Sequence, residues 1–151
     1  MSETGRARTA GVRLARESDA ARLAELAGQL TYPSTPGDVA KRLEGMRGSA
    51  DHAVFVAEDA GGKIVGFAGV YVNRTVEADA RVELSGLVVD EAARSQGTGK
   101  RLLDCVEEWA REKGCRAVGL RSNVIRERAH EFYERHGYRQ IKTQKAFRKE
   151  L

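Results

Sequence analysis

The chain has 151 residues, 41% of them hydrophobic and 32% charged, which suits one soluble domain with a buried core. Its longest nearly apolar run, Ile64 to Val72, is too short to span a bilayer, so no membrane partner is expected. The formal net charge is +4, but 26 basic residues are interleaved with 22 acidic ones without a long basic run, so no nucleic-acid partner is expected either.

Residues 1–10 are polar, carry Arg6 and Arg8 and lack an apolar h-region. They read as a flexible N-terminal tail rather than a secretion signal, and the protein is expected to stay in the cytoplasm. Residues 11–151 are expected to form a single domain. Gly11 to Arg16 alternates as a short strand, and Ser18 stands where an N-cap is expected, with Asp19 favourable in the first turn. Leu23, Leu26, Ala27 and Leu30 recur at helical spacing and form one apolar face, ended by Thr31-Tyr32-Pro33-Ser34. Thr35-Pro36 is an N-cap followed by an N1 proline, and Val39, Leu43 and Met46 continue a second helix closed by Gly48.

Ala53 to Glu58 and Lys63 to Asn73 read as antiparallel strands joined by the turn Asp59-Ala60-Gly61-Gly62. Gly66 and Gly69 inside the second of them mark a bulge or a closely packed helix more readily than a ligand contact. Ala80 to Val89 is the next strand. Strict alternation puts Val82, Leu84, Gly86 and Val88 on one face and Arg81, Glu83, Ser85, Leu87 and Val89 on the other. Glu83 is out of place there, because strand interiors disfavour glutamate and an unpaired buried carboxylate is costly; it is either a functional group or a solvent-facing or salt-bridged one.

The strand runs into Arg94-Ser95-Gln96-Gly97-Thr98-Gly99-Lys100 and then a helix. Glycines that let backbone approach a ligand, followed by the uncapped N–H groups of a helix start, make a site for phosphate. A P-loop is excluded because Gly99-Lys100 is followed by Arg101 and position 94 is arginine; a dinucleotide fingerprint is excluded because Leu102 stands where its third glycine or alanine belongs. The helix runs to about Lys113 on a stripe of Leu102, Leu103, Val106, Trp109 and Ala110, and Gly114 ends it. Arg116 to Asn123 is the next strand, so the unit from 80 to 123 is expected to pair in parallel through a crossover. Cys105 and Cys115 read as reduced structural thiols; nothing stands at zinc-ligand spacing, and no metal is expected.

Asn123 ends that strand or caps the helix after it. In that helix Ala129, Phe132, Tyr133 and His136 share a face, so Tyr133 alone reads as a core aromatic, and His136 beside Gly137 as a cation at the helix C-terminus. Residues 138–148 alternate loosely and are expected to form a last strand.

Arg94-x-x-Gly97-x-Gly99 resembles the acyl-CoA pyrophosphate loop of the GCN5-related N-acetyltransferase (GNAT) family, and Phe132-Tyr133-x-x-x-Gly137-Tyr138 resembles that family's closing motif. The likeness is strong over 80–138 and looser from Gly11 onward. It implies an α+β fold: a twisted mixed sheet of six to seven strands with a central parallel pair, flanked by about four helices. It implies an N-acetyltransferase domain over 11–151 that uses acetyl-CoA as acyl donor and transfers the acetyl group directly to a primary amine. Carried over position by position, the resemblance gives the amides of Arg94, Ser95, Gln96, Gly97, Thr98, Gly99 and Lys100 to the pyrophosphate and the strand backbone at Leu87, Val88 and Val89 to the pantetheine and thioester. Asn123 falls beside the pantetheine arm, Glu83, eleven residues before Arg94, on the general base, and Tyr133 on the general acid. Thr98 and Gln96 depart from the family's usual branched apolar and basic residues. A small amine is favoured as acceptor; a protein lysine or N-terminus, and a non-catalytic acyl-CoA-binding module, stay open, as does a homodimer.

Overall fold

The computed structural model describes residues 11–151, so the tail expected over 1–10 lies outside the described residues. These residues divide into two compact units, with the boundary between Arg121 and Ser122.

The first unit holds a five-stranded sheet in the order β1 (Val12–Leu14), β2 (His52–Glu58), β3 (Ile64–Asn73), β4 (Arg81–Val89), β5 (Val118–Leu120). Neighbours are antiparallel except β4 and β5, which pair in parallel and stand at the end of the order. The sheet is thus mixed, with fewer than the six to seven strands expected. The turn between β2 and β3 forms as anticipated: the Asp59 carboxylate accepts the N–H groups of Gly61 and Lys63 at 2.9 Å each, and Gly62 takes φ +87°.

Three helices belong to this unit: α1 (Ala20–Gln29), α2 (Pro36–Met46) and α3 (Thr98–Glu112). Thr35 caps α2 as expected, accepting from Asp38 N–H at 3.0 Å while the Asp38 carboxylate returns to Thr35 N–H at 3.0 Å. The start of α1 differs from expectation. A single 3-10 turn, Glu17–Asp19, precedes it, and the carboxylate of Asp19, not Ser18, takes the free amide, that of Arg16, at 2.7 Å. Asp19 wins because it is also held by the two terminal guanidinium nitrogens of Arg13, at 2.9 and 3.1 Å.

One sheet face packs on α1 through Leu23, Leu26, Val56, Ile64 and Val88, with Val39 and Leu43 of α2 and Phe67 around them. On the other face α3 buries Leu102, Leu103, Cys105, Val106 and Trp109, and Phe55 meets Trp109 edge-on, centroids 6.5 Å apart. Gly66 allows that approach: a Cβ there would stand 2.8 Å from Val88 O, 3.2 Å from Leu102 Cδ1 and 3.3 Å from Thr98 Cγ2. Gly69 marks the bulge. Its partner is Gly86, but Val70 pairs with Leu84, so Ser85 is an extra residue in β4.

That bulge corrects the faces read from alternation. Paired residues share a face, so Val82 and Leu84 lie with Val72 and Val70, while beyond the bulge Leu87 and Val89 join that face opposite Ala68 and Gly66. Gly86 and Val88 turn to the α1 side. One inserted residue exchanges every side chain after it.

The second unit contains α4 (Glu127–Arg135). Residues 138–148 form no strand, contrary to expectation. From Arg139 onward every residue is exposed and basic side chains recur at Lys142, Lys145, Arg148 and Lys149, so the weak alternation buries nothing that would offset the ordering of a strand. The strand expected over Arg116 to Asn123 is likewise reduced to its three paired residues.

Candidate active site

β4 is paired on both sides only over its first half. Val82, Glu83 and Leu84 pair with Val118, Gly119 and Leu120; from Ser85 onward β5 offers no partner. Asp90 donates its N–H to Val65 O at 2.8 Å, on the β3 side. By the alternation of a strand, Val88 and Gly86 also address β3, and the N–H and C=O groups of Leu87 and Val89 point to the open edge. An extended ligand arm can add to such an edge by backbone hydrogen bonds. Val88 contributes differently: its side chain is buried in the α1 core.

Past Val89 the chain makes a 3-10 turn, Glu91–Ala93, and enters the glycine loop. Arg94 is extended, Ser95 takes φ +68°, and Gly97 takes φ +80° at the N-cap of α3, where no side chain caps the helix. Arg94 to Gly97 are exposed, whereas Thr98 and Gly99 are buried at the helix start. Arg101 N–H already closes on Gly97 O at 3.1 Å, so the amides of Thr98, Gly99 and Lys100 are the ones a helix leaves for an external acceptor. Lys100 is exposed and reaches Asp104 at 2.8 Å.

The loop is anchored by groups that sequence reasoning missed. Buried Asp90 takes Ala92 N–H at 3.1 Å, Gln29 Nε2 at 3.4 Å and a short bond from Arg22, whose Nε also donates to Ile64 O at 2.9 Å. Gln29 returns its Oε1 to Glu91 N–H at 3.1 Å. These bonds hold the Asp90 carboxyl down at about 2, the Ala92 amide first and the Arg22 guanidinium second. An aspartate directly after β4 and an arginine on the polar side of α1 were the available signals.

Glu83 is 7% exposed, and its Oε2 accepts Arg81 Nε at 2.8 Å, so the salt-bridged alternative holds for one of its oxygens. It lies opposite Tyr71 on β3 and Gly119 on β5. A Cβ at Gly119 would meet Glu83 Oε2 at 3.0 Å, so the glycine leaves room for the carboxylate. Tyr71, Glu83, Leu84, Ser85 and Arg121 line a cavity of about 190 Å³. Gly86, next along, faces Leu30 at the end of α1. The α1 side of the sheet is therefore covered as far as Leu30 and hollow beyond it.

In the second unit the Asn123 carboxamide oxygen accepts Ile125 N–H at 3.1 Å, while Asn123 O receives Arg126 N–H at 3.0 Å and meets the His130 ring at 2.9 Å. Asn123 thus closes the turn before α4 instead of capping the helix, whose N-cap is Arg126. Tyr133 stands 5.3 Å from Phe132 and 5.9 Å from Tyr138, rings edge to face. Burial pushes its phenol up to about 12, against a smaller opposing pull from Arg126. His136 is at the C-cap with its ring against Phe132 at 4.7 Å.

The family model described as Acetyltransferase (GNAT) family matches residues 20–138, across both units. The chain belongs to the GNAT family. The N-acetyltransferase is 34% identical over 145 residues to an aminoglycoside N(6')-acetyltransferase type 1 of Stenotrophomonas maltophilia, covering 93% of each chain. It superposes on a glucosamine-6-phosphate N-acetyltransferase of Arabidopsis thaliana with TM-score 0.78 at 26% identity, over 91% of this chain and 96% of that one. It shares the fold of an aminoglycoside N-acetyltransferase in complex with CoA, TM-score 0.81 at 21% identity, over 93% and 94% of the two chains. In this GNAT enzyme the open β4 edge, the glycine loop and the Glu83 cavity all belong to the first unit, while Asn123 and Tyr133 come from the second.

Proposed function

We propose that this GNAT enzyme transfers the acetyl group of acetyl-CoA directly to a primary amine of a small molecule. The observation that carries the reading is continuity: the unpaired edge of β4 at Leu87 and Val89 leads through an exposed glycine loop to a helix start that no side chain caps. That order of groups fits a donor with an amide-bearing arm and a pyrophosphate. Arg94 to Lys100 would hold the pyrophosphate, Leu87 and Val89 the pantetheine, and Asn123 would stand beside it.

Acetyl-CoA supplies an activated thioester. The remaining work falls to this chain. A primary amine of pKa about 10.4 is neutral in roughly one molecule in two thousand at pH 7, and Glu83 takes its proton, directly or through a water. As the C–N bond forms and the C–S bond breaks, an N–H of Leu87 or Val89 stabilises the developing oxyanion. Tyr133, a phenol that holds its proton at neutral pH, gives it to the departing thiolate. The similarity to enzymes named for aminoglycoside and glucosamine 6-phosphate substrates supports a small-molecule acceptor.

Calorimetric titration of acetyl-CoA into the parent and Gly97→Asp, beside thiol release across a panel of amines, tests the proposal. The parent is expected to bind and to release thiol only with an accepted amine. Gly97→Asp, which adds a negative charge at the loop, is expected to lose binding. Equal binding by the two proteins overturns the loop assignment.

A further inference from the structure

The cavity beside Glu83 carries a surplus of positive charge. Its lining includes Glu83 and Arg121, and Arg81, bonded to Glu83 at 2.8 Å, already pairs that carboxylate, so Arg121 adds a positive charge that the lining does not offset. Arg121 follows β5 directly, next to Leu120, which pairs with Leu84 at the point where β4 bulges. Among the described residues it has no ion-pair partner, and it is exposed. The hydroxyl groups of Tyr71 and Ser85 belong to residues lining the same hollow.

We propose that the acceptor carries an anionic group, a phosphate, phosphonate or carboxylate, beside the amine that is acetylated, and that Arg121 binds this group while Glu83 faces the amine. The inference rests on the transferase reading above. A planar guanidinium is suited to two parallel bonds to a carboxylate or phosphate. An acceptor that brings its own anion gives the Arg121 guanidinium a counter-charge. A polycation brings more positive charge to a site where the sole lining carboxylate is already paired, which costs binding. Arg121 is a specificity residue under this proposal and takes no part in the chemical step.

The test compares acceptors that differ only in the anion: phosphoethanolamine with ethanolamine and glucosamine 6-phosphate with glucosamine, with kanamycin as the polycation. Thiol release is measured for the parent, Arg121→Met and Arg121→Lys, and acetyl-CoA affinity is titrated for each. The parent is expected to favour at least one anionic member over its neutral partner by about 10- to 100-fold in kcat/KM, the range of a charge-assisted hydrogen bond. Arg121→Met should erase that ratio through KM with kcat and acetyl-CoA affinity retained, and Arg121→Lys should restore part of it.

Use of the neutral amines or of kanamycin as well as the anionic ones overturns the proposal, as does a ratio unaltered in Arg121→Met. Lost acetyl-CoA affinity in Arg121→Met would make Arg121 a donor contact and overturn it too. Donor binding without turnover on any of these amines rejects the acceptor class and leaves the donor assignment standing. Failure of the parent to bind acetyl-CoA rejects the transferase reading itself.

Discussion

Arg22 and Asp90, separated by 68 positions in the chain, form an ion pair that ties α1 to the residue at which β4 turns into the glycine loop. Gln29 closes the same contact from the next turns of α1, bonding both the Asp90 carboxylate and Glu91 N–H. The position of the glycine loop is thereby set by a helix on the sheet face that carries the Glu83 cavity. Asp90→Asn should raise KM for acetyl-CoA, by about tenfold where the loss equals one charge-assisted bond, with kcat less affected. Its pH signature is distinct. A carboxyl held at about 2, below the ordinary 3.8, contributes stability that is present above the ordinary value and lost as pH falls towards 2. The stability gap between the parent and Asp90→Asn is therefore expected to be constant from pH 7 to about 5 and to close below pH 4. Urea unfolding at each pH measures it, and a gap that persists at pH 2 refutes the contribution.

Glycines at two positions should answer in opposite directions. Gly66→Val would press a Cβ to 2.8 Å from Val88 O, a backbone atom held in the β3–β4 ladder, and against Leu102 and Thr98 of α3. The expected loss is about 1–3 kcal/mol, the usual cost of overpacking. Gly28 lies in α1, and a Cβ added there would have nothing within 4 Å, so Gly28→Ala should stabilise by about 0.5–1 kcal/mol through helix propensity. Urea midpoints decide both signs.

Much of this was legible in the sequence because its local signals agreed. Thr35-Pro36, the Asp59 turn and Gly114 each specify a backbone conformation on their own, and the glycine loop keeps its order whatever surrounds it. The faces of β4 were not legible beyond Ser85, since a bulge leaves hydrophobic alternation intact on both sides while exchanging what it means. Nor was the Arg81 bond to Glu83 or the Arg22–Asp90 pair: arginine on a strand or helix is ordinary composition, and only the fold brings it to a carboxylate. The strand expected over 138–148 rested on alternation without a buried face, which is pattern without the energy that makes strands form.

Glu83→Gln keeps the shape and an oxygen able to accept from Arg81, so the fold should survive the change. If Glu83 takes the amine's proton, kcat/KM should fall by about 10²-fold at pH 7 and recover towards the parent as pH approaches the amine's own pKa. A ratio of variant to parent that stays level from pH 6 to 9 would leave Glu83 as a salt-bridged strand residue.

Tyr133 separates a proton donor from a packing aromatic. Tyr133→Phe removes the hydroxyl and keeps the ring that stands 5.3 Å from Phe132, so a structural role predicts a loss of about 1 kcal/mol in stability and little change in rate. A general acid predicts a fall in kcat of about 10² to 10⁴, with acetyl-CoA affinity unchanged. The pH dependence adds a second readout. Burial raises the phenol from 10.0 to about 12, so the proton is retained across the range in which an amine acceptor becomes neutral. The parent's kcat should accordingly show no decline from this group up to about pH 10. The linkage runs the same way: a raised pKa contributes stability that is fully present below the unfolded value and lost as pH rises from 10.0 towards about 12. In Tyr133→Phe that alkaline loss should be absent. Steady-state kinetics from pH 6 to 10, with melting curves carried to pH 11, compare the two proteins; unchanged kcat with lowered stability would make Tyr133 a core residue.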